Sequence, residues 1–75
     1  QEVTKTVTVY LEGFEGSVAV RLLMDGAEVG SAVADATMDT SVEVQVRGTT
    51  GLGLRELAVY INGVASGTIP INFDE

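Results

Sequence analysis

Leu57-Ala58-Val59-Tyr60-Ile61-Asn62-Gly63-Val64-Ala65-Ser66-Gly67-Thr68-Ile69-Pro70-Ile71-Asn72-Phe73 is the stretch whose reading decides the fold. Leu57, Val59 and Ile61 alternate with Ala58, Tyr60 and Asn62; further on, Ile69, Ile71 and Phe73 alternate with Pro70 and Asn72. A period of two puts the apolar set on one face of a strand. Between the two runs, Asn62-Gly63 supplies two residues that tolerate the positive φ a type I′ turn requires at both central positions. The stretch therefore reads as a β-hairpin with one buried face.

The same design occurs earlier in the chain. Val20-Arg21-Leu22-Leu23-Met24-Asp25-Gly26, followed by Gly30-Ser31, matches Leu57 to Gly63, followed by Gly67-Thr68, at identical spacing. Val18, Val20, Leu22 and Met24 form an apolar face opposite Ser17, Ala19, Arg21 and Leu23, Asp25-Gly26 turns the chain, and Ala27 to Val33 returns with Val29 and Val33 as its apolar positions. Two copies are too few for a solenoid, which needs at least three units.

Two further strands complete the set. In Val3 to Leu11, Val7, Val9 and Leu11 share one face, and Thr4, Thr6, Thr8 and Tyr10 the other. Lys5 falls on the Val7 face, as charges do on edges that resist sheet-to-sheet pairing. Val42, Val44 and Val46 alternate with Ser41, Glu43, Gln45 and Arg47, the pattern of a strand with one wet face. Arg55 shares the parity of Leu57, so alternation in the fifth strand is expected to start at about Glu56, with either Leu52 or Leu54 plugging the end of the core. The one helix-like run, Val29 to Met38, has no cap and no sustained apolar stripe. Six strands result, at roughly 3–11, 17–24, 27–33, 41–47, 56–62 and 64–73.

The tight turns force the second strand onto the third and the fifth onto the sixth. Loops 12–16, 34–40 and 48–55 are free to cross between sheets. Both hairpins then share one sheet, and the first and fourth strands form the other. Two one-sided sheets facing each other make an all-β, two-sheet antiparallel sandwich. That arrangement resembles the immunoglobulin-like and fibronectin type III-like sandwiches, the six strands standing for B, C, C′, E, F and G. The resemblance covers the whole chain and rests on strand count, turn positions and alternation. The chain departs from the pattern in having no Cys pair and no core Trp, in placing Tyr60 on an outward parity unlike a tyrosine-corner residue, and in a strand A that is missing or merged into Val3–Leu11.

Gly-rich turns, no Cys and few Lys look like modules of bacterial surface and secreted proteins. What this implies is a non-catalytic structural or adhesive accessory domain, extracellular or on the cell surface. Residues 1–75 would be one sandwich domain excised from a longer multidomain chain, with flanking domains as its partners. The alternative is a ligand-binding module for carbohydrate or protein, using loops 12–16 and 48–55 or the tyrosines.

Eleven acids against four bases give a net charge of −7. Lys5, Arg21, Arg47 and Arg55 are scattered, whereas phosphate backbones need clustered cations, so nucleic acid is not an expected partner. No apolar run approaches the ~18 residues of a membrane-spanning helix, and membrane insertion is not expected. Like charge opposes close approach of copies, so a monomer is expected in isolation. At ~0.05–0.15 kcal/mol per residue, a domain of this size has a net stability of about 4–11 kcal/mol.

The chain has neither His nor Cys, so none of the common nucleophilic triads can be built, and an enzyme is not expected. A two-carboxylate hydrolase would need a deep cleft that so small a sandwich rarely has. Asp35 and Asp39, with Asp25 or Glu28 as further oxygens, are candidate Ca²⁺ ligands. They lack the Asp-x-Asp-x-Asp-Gly run, and the preferred reading is two solvated loop acids, with Asp39 orienting a turn. Gly48-Thr49-Thr50-Gly51-Leu52-Gly53 carries the glycines of a phosphate cradle but is followed by no Lys and no helix, which favours a flexible cross-sheet loop. No cofactor or metal is assigned. The candidate ligand or partner contacts are Tyr10, Tyr60, Thr49 and Thr50; outward tyrosines can stack on sugar rings or anchor a protein, or simply pack against neighbouring Thr.

Overall fold

The computed structural model describes all residues, Gln1–Glu75, as six strands and no helix. These are β1 (Glu2–Tyr10), β2 (Ser17–Met24), β3 (Ala27–Asp35), β4 (Ser41–Thr49), β5 (Leu54–Ile61) and β6 (Val64–Asn72). β1 and β4 form a two-stranded sheet; β3-β2-β5-β6, in that order, form a four-stranded one, and all pairings are antiparallel. The expected sandwich and its division of strands are both observed. All three longer loops cross between the sheets.

Both two-residue turns have positive φ at each central residue: Asp25 +53° and Gly26 +84°, Asn62 +51° and Gly63 +80°. The sequence echo also has a structural counterpart. Leu22 and Val59, which hold the same place in the two copies, are direct partners across β2–β5. A local two-fold axis thus passes between them and exchanges the pairs Arg21–Tyr60 and Leu23–Ala58. Each hairpin carries a bulge at the equivalent point, opposite Leu22 and opposite Val59. One extra residue there deepens the twist of the strands.

The bulge overturns one sequence expectation. It absorbs Val29, so the residues of β3 beyond it that share the face of Val18, Val20 and Leu22 are Gly30, Ala32 and Ala34. Val33 points outward and is 72% exposed. The inner face of β3 is therefore made of small residues, and β4 packs directly against it. A Cβ at Gly30 would strike the carbonyl oxygen of Gln45 and lie 3.1 Å from Val44 Cγ1. On this side the two sheets meet edge to edge.

The core comprises Val7, Val9 and Leu11 of β1 and its end, Val18, Val20 and Leu22 of β2, Val44 and Val46 of β4, Leu57, Val59 and Ile61 of β5, and Ile71 and Phe73 at the end of the chain. Phe73 closes one end of the core: a Cβ at Gly48 would collide with its ring. Leu52, not Leu54, packs against the core there; Leu54 opens β5 two residues earlier than expected and is 70% exposed. Arg55 keeps its inward parity by donating from Nε to the Leu52 carbonyl (2.9 Å), with Nη1 3.5 Å from Asp25 Oδ2.

Candidate functional site

The hydrogen-bond pattern shows which strand edges are free. Thr50 N–H donates to the Gln1 carbonyl and Leu11 N–H to the Thr40 carbonyl, so the odd residues of β1 bond to β4. Alternation in an antiparallel ladder then turns the N–H and C=O of Thr4, Thr6, Thr8 and Tyr10 away from β4, towards the open side. On β6, Phe73 N–H donates to the Gly53 carbonyl, which by the same rule turns Thr68, Pro70 and Asn72 outward. Pro70 thus sits where its missing N–H costs nothing and where it interrupts any further pairing.

The β1 and β6 edges lie on the side opposite the β3–β4 contact, and there the sandwich gapes. An open groove of about 390 Å³ runs between Thr8, Val9 and Tyr10 of β1 and Ser66, Gly67, Thr68 and Ile69 of β6, with Val59 and Ile61 as its floor. None of these nine residues is charged. Nearer the chain ends, Lys5 is half-buried on the inner face, and its Nζ donates to the backbone carbonyl of Glu75. Lys5 therefore acts as a bridge across the seam.

Tyr10 is 74% exposed and borders a second hollow of about 470 Å³, which it shares with Leu11, Glu12, Phe14, Ala36, Asp39 and Thr40. Of the four candidate contact residues, only Tyr10 borders these hollows. Tyr60 is half-buried on the outer face of the other sheet, across from Arg21. Thr49 and Thr50 lie at the other end of the molecule, because Thr49 pairs with Glu2 while Tyr10 pairs with Ser41. The Thr50 hydroxyl accepts from the Gln1 amino group at 3.3 Å. Loops 12–16 and 48–55 likewise lie at opposite ends of a body 38 Å long and cannot form one site. Val9, Val59, Ile61 and Ile69, which line the seam, read in the sequence only as core positions.

The acidic candidates separate too. Asp25 lies in the β2–β3 turn and Glu28 at the start of β3, at the end opposite Asp35 and Asp39. Glu28 is paired with Arg21 (2.6 Å), and no three acidic side chains converge as metal ligands would. It is Asp35, not Asp39, that orients its turn: Oδ1 accepts from Thr37 N–H at 2.9 Å, and its carbonyl accepts from Met38 and Asp39. The Gly48–Gly53 loop does cradle an anionic group, but one of its own chain. Gly51 and Gly53 N–H donate to the two carboxylate oxygens of Asp74, at 2.6 and 2.8 Å. Successive N–H groups facing one anion form a nest, here filled from within.

No family model, no curated protein and no solved structure matches the chain.

Proposed function

We propose that the chain is a non-catalytic structural or adhesive module of the immunoglobulin-like, fibronectin type III-like kind, serving in a cell-surface or secreted multidomain protein. The observation that carries this reading is the strand order. β1-β4 facing β3-β2-β5-β6 corresponds to B-E facing C′-C-F-G, the order of such sandwiches without strand A. A net charge of −7 suits a soluble spacer that does not stick to its copies. Sedimentation across a concentration series tests the spacer reading: a monomer up to the highest concentration is expected, and a tight dimer at micromolar concentration would refute it. Tandem copies of the module in its parent chain would agree with it, whereas a single copy joined to a catalytic domain would favour targeting.

One observation favours carbohydrate binding as a second reading. The Tyr10 hollow is lined by two aromatic residues, Tyr10 and Phe14, together with Glu12, Asp39 and Thr40. Aromatic faces with adjacent hydrogen-bonding groups are what a sugar ring needs. A glycan array probed with the isolated domain, and repeated with Tyr10→Ala, separates the readings. Saturable binding lost in the variant supports a lectin-like module, and a blank array supports the spacer.

A further inference from the structure

The four-stranded sheet is covered by only two strands, and the uncovered strip falls at the β1–β6 seam. There, three features coincide. First, Thr6, Thr8 and Tyr10 direct unpaired backbone N–H and C=O groups along a free edge. Second, the groove beside that edge is floored by Val59 and Ile61, flanked by Val9 and Ile69, and contains no charge. Third, the neighbouring positions are less open: Pro70 breaks the β6 edge, and Lys5 bridges to Glu75 towards the chain ends. We infer that the upper half of the β1 edge, from Thr6 to Tyr10, accepts an extended segment of another polypeptide as an added strand, with alternate apolar side chains of the guest entering the groove over Val59 and Ile69.

Charge selects the guest. At −7 the domain repels an acidic segment and a second copy of itself, while the groove offers no partner for a buried charge. The fitting segment alternates β-branched apolar with polar residues and is flanked by basic ones. Its backbone bonds supply affinity, and the groove reads every second side chain. The inference rests on edge geometry and holds whether or not the module serves at a cell surface.

The test uses the 75-residue chain and a peptide of alternating threonine and valine flanked by lysines, followed by amide NMR. Binding is expected to shift Thr6, Thr8 and Tyr10 and slow their amide exchange, and to shift the side chains of Val59 and Ile69. Thr8→Pro removes an outward N–H without touching the β1–β4 ladder, as Pro70 does on β6. It should weaken binding about tenfold, the equivalent of one net backbone hydrogen bond. Should Thr8→Pro fail to fold, the native chain with the peptide N-methylated at alternate residues carries the test: one methylation phase should abolish binding and the other spare it. No binding at millimolar peptide, equal binding by folded Thr8→Pro, indifference to methylation phase, shifts confined to another surface, or copies pairing through β1 would each overturn the inference.

Discussion

Gly48→Ala is a substitution for which two physical effects predict opposite signs. Gly48 lies in β4 without positive φ, so an Ala there loses less conformational freedom on folding and by that effect alone should stabilise by about 0.5–1 kcal/mol. The added Cβ, however, would stand against the Phe73 ring, 2.8 Å from Cζ and closer still to Cδ1 and Cε1. Phe73 is 2% exposed and is among the largest buried side chains, so its ring has nowhere free to go. Overpacking of this kind costs about 1–3 kcal/mol, occasionally more. With contacts this short we expect a net loss near 2 kcal/mol, a large share of the ~4–11 kcal/mol available. Urea denaturation measures it as a fall in midpoint at constant slope. The decisive comparison is a double-mutant cycle with Phe73→Leu, which removes the ring. In that background Gly48→Ala should be neutral or stabilising, with a coupling of about 1–3 kcal/mol. If Gly48→Ala stabilises the native chain, or costs the same with Leu at position 73, the collision is not what keeps glycine in β4.

Three other outcomes follow from the same geometry. Gly63→Val forces a β-branched residue to φ +80° and should destabilise by about 1–2 kcal/mol in thermal or urea melts; no measurable loss would contradict the turn geometry. Ile71→Ala removes a core side chain that is 8% exposed and should cost ~2–5 kcal/mol, whereas a change below half a kcal/mol would place Ile71 outside the core. Asp74→Ala leaves the Gly51 and Gly53 amides without their acceptor, so their hydrogen exchange should accelerate while that of Val18, Val20 and Leu22 stays slow; unchanged rates at the two glycines would dismiss the carboxylate clasp.

What could be read from the sequence was what repeats along a strand or sits within a turn. Asn62-Gly63 and Asp25-Gly26 announced their turns because the φ requirement is local, and Val42, Val44 and Val46 announced their face because the period is two. Tight turns then left few ways to join six strands. The bulge opposite Leu22 was not legible, since it depends on a partner strand, and missing it by one residue exchanged Val33 for Ala32 and Ala34 on the inner face. The role of Leu52 over Leu54 depended on how a loop returns to the core. Asp74 as the anion of the Gly51–Gly53 nest joins residues distant in the chain, for which no spacing rule exists. The seam exists because two strands face four. Its position came from small residues on β3, which draw β4 to one side and leave β1 and β6 apart.

The cover strands also set an order of events. Each hairpin closes over two residues, and such hairpins form in roughly 1–10 μs. The β1–β4 pairing is different: Glu2 meets Thr49 across more than half the chain, so its loop-closure entropy comes due before any contact rewards it. The four-stranded sheet can thus assemble around Leu22 and Val59 while its apolar face is still bare. During that interval the chain is an open template for other chains, and the protection then at hand is the mutual repulsion of eleven carboxylates against four cations. High salt, which screens that repulsion, should leave the finished domain intact yet lower the yield of refolding at high protein concentration.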